Sequence, residues 1–572
     1  MSDGKILIFL ESNTKKLTIK SFLGADYNIF ATGGHLMELE NKGIYNLGVD
    51  FDNNFKPSYL VMSKKKALVD FWINYLEKNK PSQIFVATDP DREGEAIAKE
   101  VVEVLNLKEK DYKRLLFHEI TSSSIKKSLE NPLEIDDNLV QAQLSRQVLD
   151  KMIGFCLSPL LQKKINAWSA GRVQSVVLKL IVDKEKEIEL YGDKKEFVID
   201  CIYKVGKKSF SLNERDFNGN LVIYETQSDA QKVIDELKKN FDLEEKFEEE
   251  KYVFPKSPLT TSLLLYEAKN KLGFSIYKTT EIAQKLYEGV SLKGKKKRLS
   301  LITYPRTDSS RLSKTFTFKA YEYIKEKWGT ELCNFKDSSV LKGKKKNVQD
   351  AHEAIRPTYM NYTPDDLKGE GIEEDYISLY ELIFNHTLAS LMQPAKYISN
   401  IYNFSNNGRK FQMVENIIIS PGFFVFLDYY KKFSISKDSS LINEDINNIE
   451  ASKIGINEYL GRRPRRYTEG ILIKTLEKLG IGRPSTYNAF SRILLKRRYS
   501  TISKRGEFIP TVLGFNVNEW LQNHFSYLIN ENYTALLEEK LDKISQGDDN
   551  YLSFIKGFWS DFFPRFKDVD CD

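Results

Sequence analysis

A short apolar run that leads into four carboxylates within seven residues constrains this chain more than any other feature. Residues 83–87 (QIFVA) have the continuous hydrophobic character of a parallel strand covered on both faces. They run into residues 89–95 (DPDREGE), and a helix-like segment, 96–105, follows. A second run of this kind, residues 5–10 (KILIFL), ends in Glu11 and Ser12. Carboxylates at the ends of two such strands face the crevice where open α/β sheets bind ligands. One Asp in that position usually just caps the next helix. Four acidic residues together, with Glu11 at another strand end, point instead to a site built from carboxylates.

At 572 residues the chain is too long for one core, so several domains are expected. A hydrophobic content of 41% excludes a mostly disordered chain. The net charge of 86 − 80 = +6 does not by itself indicate nucleic acid, so the placement of the charge matters. Cys156, Cys201, Cys333 and Cys571 form no C-x-x-C pair, which argues for a reduced intracellular protein without a zinc cluster. The opening MSDGKILIFLESN is interrupted too early by Glu11 for a signal peptide. No stretch approaches the roughly 20 apolar residues that cross a bilayer. The expectation is a soluble, cytoplasmic protein with no membrane partner.

The pattern along the chain is α/β, then helical (138–189, broken at 168–172), then strand-like (195–253). Helical periodicity returns over 257–383, notably at 263–272 and 279–287. A second strand zone covers 397–430, including 417–420 and 423–427, and the chain is helical again from about 465. The chain therefore leaves and re-enters its domains, without an internal repeat. Two basic loops, 293–298 (KGKKKR) and 342–346 (KGKKK), each precede a segment rich in reactive side chains. Such runs are usually solvated loops.

The first of those segments is 301–312, LITYPRTDSSRL. Pro305 restricts Tyr304 to an extended backbone, so Arg306, two residues on, projects to the same side. A phenol beside a fixed guanidinium suits nucleophilic attack on a phosphodiester, with the cation holding the phosphate. In the second, 349–358 (QDAHEAIRPT), His352 and Arg356 are spaced i, i+4; a helical turn would put both on one phosphate. A third, 169–175 (SAGRVQS), has Gly171 at a helix start, where free N–H groups favour anions, with Arg172 and Gln174 as further donors. A fourth, 482–487 (GRPSTY), lies between two helical stretches, the second carrying Arg492, Lys496, Arg497 and Arg498. With a strand pair around 504–506, these suggest a winged helix-turn-helix. Basic residues far outnumber acidic ones between 462 and 505, as a phosphate-tracking surface requires. No G-x-x-x-x-G-K-[ST] stretch occurs, which disfavours a P-loop ATPase or helicase. The chemistry must then draw on the energy of its substrate.

Taken together these segments resemble the type IA DNA topoisomerases. ATDPDREGEAIA (87–98) and LESNTKKLTI (10–19) are similar to the acidic and Glu–Lys motifs of the Toprim domain. ITYPRTDS (302–309) is similar to the active-site tyrosine motif, AHEAIRPT to the family's His-containing segment, and SAGRVQS and GIGRPSTY to its DNA-binding segments. The resemblance implies a multidomain α/β, helical and strand-rich toroidal core. It implies a Toprim domain over 1–137 and a helical DNA-binding domain over 138–190 plus 445–572. A strand-rich hinge would cover 191–256 plus 384–444, and a helical domain carrying the tyrosine 257–383.

By the same resemblance Tyr304 attacks phosphorus to leave a 5′-phosphotyrosyl link and a free 3′-OH, so religation needs no ATP. Arg306 stabilises the scissile phosphate, Lys15 protonates the leaving 3′ oxygen, and Glu11 assists proton transfer on religation. His352 contacts the backbone near the cut. Glu11, Asp89, Asp91 and Glu93 hold Mg²⁺, a hard cation suited to oxygen ligands. His35, Arg146, Phe155, Ser169, Arg172, Gln174, Arg356, Arg483, Ser485 and Thr486 are the implied DNA contacts.

The implied substrate is single-stranded and negatively supercoiled DNA, and the implied form a nucleoid-associated monomer. Asn13 stands where the family commonly has Pro. Arg146–Gln147 and Phe155 stand where it often has paired arginines and a Tyr that read a base upstream of the cut. Phe155 still offers a ring for stacking. Pro305 resembles topoisomerase III, whereas AHEAIRPT and LYEGVSLKG (286–294) resemble topoisomerase I, the favoured form. Many such chains continue into zinc-ribbon repeats; no such repeat follows the winged helix here, so the resemblance is to a core. The alternatives are a topoisomerase III-like decatenase, a Toprim primase or nuclease, or an inactive single-strand-binding protein. The primase and nuclease readings leave ITYPRTDS and AHEAIRPT without a role, and the last leaves the whole catalytic set unused.

Overall fold

The computed structural model describes residues 5–293, 298–334, 353–426, 435–436, 441 and 446–571. The first unit is a parallel sheet ordered Tyr27–Ala31, Ile6–Leu10, Ile84–Val86, Tyr112–Arg114. Both apolar runs read from the sequence are thus neighbouring central strands. Their continuous hydrophobicity has a plain cause. Leu7 and Phe9 pack into one core with Trp72 and Val101, whereas Ile8 and Leu10 face another core with Tyr287, Ile302 and Tyr304. One face of this α/β sheet is therefore buried against the tyrosine-bearing segment.

The helix after Ile84–Val86 begins earlier than expected, at Arg92 (Arg92–Val104). Asp91 is its N-cap and accepts from Gly94 N at 2.8 Å, so helix capping is one of its roles. Gly94 is required by close approach, because a Cβ there would lie 2.1 Å from the Asp89 carbonyl oxygen. Ser12 likewise caps Asn13–Leu23 by accepting from Lys15 N at 3.2 Å, which fixes Lys15 in the first turn.

The long helical region is two helices, Asp137–Ile165 and Arg172–Tyr191, separated where the sequence breaks at 168–172. They share a core with Glu469–Leu479, Tyr487–Lys496 and the helices from Val512 to Cys571. Glu469–Leu479, the turn at 480–486, Tyr487–Lys496 and the hairpin Ser500–Ile502/Phe508–Pro510 form the expected winged helix-turn-helix. Gly480 and Gly482 make that turn with φ of +73° and +76°, where only glycine is unstrained.

The strand-rich unit is one sheet ordered Asn448–Glu450, Asn240–Val253, Ala395–Asn406, Arg409–Ser420, Lys208–Arg215, Glu196–Val205, Lys453–Tyr459. The short strand Ile435–Ser436 runs beside Arg409–Ser420. Two expected boundaries move. Asn448–Glu450 and Lys453–Tyr459 pair with strands of this sheet, so it continues past residue 444 to Tyr459. The helix Glu374–Ser390 crosses the expected break at 383/384 and packs in the tyrosine-bearing core, since Leu379, Ile383 and Leu388 are buried there. Where a strand is expected over 423–427, the described residues form a 3₁₀ turn, Gly422–Val425, and residue 427 lies outside them. The tyrosine-bearing segment is inserted between two paired strands, whose register sets Val253 opposite Ala395.

Among the described residues no helix is long and apolar enough to cross a membrane. The four cysteines are unpaired, with three buried and Cys571 exposed.

Candidate active site

Tyr304 reaches the Toprim-like sheet because its segment is held from three directions. Tyr304 N donates to the His118 carbonyl at 2.8 Å, Thr303 N donates to the Arg356 carbonyl at 3.0 Å, and Thr261 Oγ1 donates to the Pro305 carbonyl at 2.8 Å. The Tyr304 ring packs edge-on against Tyr287, with centroids 5.3 Å apart. Its hydroxyl donates to Asp91 Oδ2 at 2.6 Å. Arg306 Nη1 donates to Glu93 Oε2 at 3.1 Å and lies 3.8 Å from Asp91 Oδ2. The tyrosine and arginine that the sequence placed on one side thus converge on the same acidic loop.

Lys15 is 1% exposed, ion-paired with Asp89, and its Nζ lies 5.1 Å from the Tyr287 ring centroid. Burial lowers the Lys15 pKa from 10.5, against the opposing pull of Glu11. Glu11 moves the other way: burial raises its carboxyl, Lys15 opposes this, and the like charges of Asp91 and Glu93 add to it. Tyr304 is only 2% exposed, and burial, with Asp91 beside it, pushes its phenol well above 10. The Tyr304 phenol is held protonated and away from water.

The four expected metal-binding carboxylates do not converge. Asp89 is engaged by Lys15, Asp91 by Tyr304 and Gly94, and Glu93 by Arg306. Among the described residues no group of three His, Cys, Asp or Glu side chains is placed to hold a metal ion. The donor chemistry still suits a hard cation, and the mutual repulsion that raises Glu11 is what a divalent cation would relieve.

From Asp91, Glu93 and Arg306 a groove runs along the helix Asp137–Ile165. Its near end is lined by Arg146, Arg483, Ser485 and Gln143. It opens into a cavity of about 490 Å³ bordered by His35, Arg146, Gln147, Lys151, Ser485 and Thr486. The His35 pKa is raised: burial lowers it, but the 2.7 Å contact with Glu100 outweighs burial. Arg146 Nη1 donates to Ser485 Oγ at 3.4 Å, joining the two walls. Phe155 is exposed one turn beyond Lys151, whose Nζ lies 4.9 Å from its ring centroid. Gln143 and Lys151 were not singled out from the sequence, and Gln147 was noted only where the family often has a second arginine. Their i, i+4 spacing on one polar helix face is the signal that finds them.

Several expected DNA contacts are turned inward. Arg172 is buried and donates to Glu538 at 2.6 Å and Asp150 at 3.1 Å, so its guanidinium ties three helices together and is not offered to DNA. Gly171 has φ −164°, extended backbone open to any residue; a Cβ there would press on the Gln174 side chain at 3.2 Å. Gln174 Nε2 donates to the Ser169 carbonyl at 3.3 Å, and Ser169 N donates to Tyr499 Oη at 2.9 Å. Arg356 is also buried, donating to Glu119 and Glu353 over the Phe316 ring. Residues 353–358 are extended, with bridges Leu259–Ile355 and Ile302–Pro357, so the expected helical turn is absent there. Arg356 therefore positions the Tyr304 segment. Arg483 is held by Asp542 and the Gly480 and Gly482 carbonyls while still edging the groove. His352, residues 294–297 of the first basic loop and all of the second lie outside the described residues.

The Arg172–Glu538 pair yields a stability prediction. Burial alone would raise the Glu538 carboxyl; Arg172, Arg483 and Arg146 outweigh it and bring it from 4.5 to about 2. A depressed folded pKa stabilises fully above 4.5, and that contribution is lost as pH falls towards 2. Arg172→Ala strands the buried carboxylate and is expected to cost about 3–5 kcal/mol, read by denaturant titration at neutral pH. Undiminished stability with weakened DNA binding would return Arg172 to the DNA contacts.

An acidic loop, a buried tyrosine and a basic groove beside a winged helix define a DNA strand-cleaving class. The chain belongs to the DNA topoisomerase family, as a type IA core: the family model described as DNA topoisomerase matches residues 134–556, and a Toprim domain model matches residues 6–120. Cleavage and passage of DNA strands is the chemistry of that family. Among solved structures, full-length topoisomerase I from Thermotoga maritima is similar at 33% identity, covering 98% of this chain and 90% of that one, with a TM-score of 0.83.

Proposed function

We propose that the chain relaxes negatively supercoiled DNA without ATP, acting as a monomer in the cytoplasm through a 5′-phosphotyrosyl intermediate at Tyr304. The observation that carries this is the convergence of Tyr304 and Arg306 on Asp91 and Glu93 beside the buried Lys15. The Tyr304-bearing segment parts from the Toprim sheet to admit a single strand. The scissile phosphate then takes the place of the Asp91–Glu93 loop as the partner of Arg306.

Tyr304 Oη forms a bond to phosphorus as the bond from phosphorus to the 3′ oxygen breaks. The phenolic proton leaves by way of Asp91 to water. Lys15, with its pKa lowered by burial, gives a proton to the departing 3′ oxygen. Arg306 balances the charge that builds on the phosphate. Religation is the reverse, with Glu11 and Lys15 taking the proton of the 3′-OH. The phosphotyrosyl ester keeps the bond energy, which is why no nucleotide is needed. Once substrate draws Tyr304 and Arg306 away from Asp91 and Glu93, these carboxylates and Glu11 would hold Mg²⁺, which would supply charge neutralisation at the phosphate.

The test is plasmid relaxation with Mg²⁺ and no ATP, run beside singly linked DNA circles. Loss of negative supercoils, abolished by chelation, is the expected result. Rapid unlinking with little relaxation would instead favour the topoisomerase III-like activity that Pro305 suggests. Free 5′-phosphate ends would indicate a nuclease.

A further inference from the structure

Trp168 is 62% exposed, whereas Trp72, Trp520 and Trp559 are buried. Exposure of so large a ring has a structural cause: its loop is fixed on both sides of it. Ala167 N donates to the Leu161 carbonyl at 3.2 Å, and Ala170 N donates to Ser158 Oγ at 3.3 Å. Tyr499 Oη, on a buried side chain, accepts from Ser169 N and donates to the Ser169 carbonyl at 2.8 Å. These bonds hold the backbone on both sides of Trp168 in place, so the position from which the indole projects is fixed. Arg497, at the end of the winged-helix helix Tyr487–Lys496, sets its guanidinium carbon 5.8 Å from the indole centroid.

This pair continues the groove. Gln147, Lys151 and Phe155 follow one another at i, i+4 on one face of Asp137–Ile165, and Ser158 is the next residue on that face. Because Ser158 carries the Ala170 end of the loop, Trp168 belongs to the turn directly beyond Phe155. The wall thus presents two exposed rings in succession, each with a cation over it: Phe155 with Lys151, then Trp168 with Arg497. Lys496 and Arg498, the chain neighbours of Arg497, are also exposed. Alternating rings and cations are how proteins hold single strands without reading sequence, bases stacking while the cations follow the phosphates.

We propose that Trp168 and Arg497 form a second base-stacking platform, which receives the single strand where it leaves the groove. This rests on the groove being the path of the cleaved strand.

The experiment uses the full chain carrying Tyr304→Phe, so that binding is read without cleavage. Single-stranded oligonucleotides share one core that fills the groove and are lengthened on either the 5′ or the 3′ side. Trp168→Ala is expected to weaken binding of the lengthened strand in one of the two series by about tenfold, and to leave the core oligonucleotide unaffected. Trp168→Phe should restore most of the loss. Arg497→Ala should lower the salt dependence of binding for that series by about one phosphate contact. Equal affinities of Trp168→Ala and the parent in both series would overturn the platform. So would an equal loss on core and lengthened strands, since that is a folding defect. If the parent failed to bind the core oligonucleotide at all, the groove itself would be misassigned, and the platform would fall with it.

Discussion

Replacing Tyr304 by Phe is expected to abolish protein-linked DNA ends while leaving single-strand binding intact. The change removes the one atom that would attack phosphorus and keeps the ring that packs edge-on against Tyr287. Its cost in stability is one hydrogen bond, to Asp91, or about 1 kcal/mol. Its cost in cleavage is on the order of 10⁴-fold or more, the scale on which removal of a covalent nucleophile is felt. The measurement is a denatured reaction on labelled single-stranded DNA, scored for protein-bound 5′ ends, beside plasmid relaxation. A covalent adduct with the Phe variant would assign the nucleophile elsewhere.

Lys15 carries the second large effect. As the proton donor to the 3′ oxygen it must be charged, and its pKa in the fold lies below 10.5. Cleavage should then fall as pH rises through that lowered value, an alkaline limb that a lysine in water would place later. Lys15→Met should slow cleavage by about 10²–10⁴-fold and remove that limb. The single variant also leaves the buried Asp89 carboxylate without its cation, which destabilises the fold. The Lys15→Met, Asp89→Asn double variant removes both charges and separates the two effects. Recovery of stability without recovery of cleavage identifies Lys15 as the proton donor; recovery of both would make it structural.

The parts of this site that were legible in the sequence are those set by local chemistry. The two apolar runs read correctly as buried parallel strands because burial on both faces leaves no alternation; that they are neighbours came from the structure. The winged helix was legible because turn glycines, a basic helix and a hairpin follow one another within a short stretch. What the sequence could not reveal is which charges are spent inside the protein. Arg172 and Arg356 stand in motifs as persuasive as that of Arg306, yet Glu538, Glu119 and Glu353 claim them. Those partners are up to 366 residues away along the chain, beyond any local pattern. The boundary differences are also set at long range: pairing with Asn240–Val253 and Glu196–Val205 decides where Asn448–Glu450 and Lys453–Tyr459 belong, and packing of Leu379, Ile383 and Leu388 decides where the helix Glu374–Ser390 belongs.

The insertion of the tyrosine-bearing segment between Val253 and Ala395 gives the molecule a defined mechanical continuity. Both ends of that segment leave one sheet side by side, so its covalent attachment to the rest of the chain is a two-strand stalk. With a 5′ end bonded to Tyr304 and the 3′ end held in the groove, the broken backbone is replaced by a load path through polypeptide. Tension on the cut strand would run from Tyr304 through the stalk into the sheet, and from there to the helices along the groove. Pulling on the DNA therefore loads the ladder between Asn240–Val253 and Ala395–Asn406, one of the longest in the protein, whose hydrogen bonds are weaker than the covalent links in series with it.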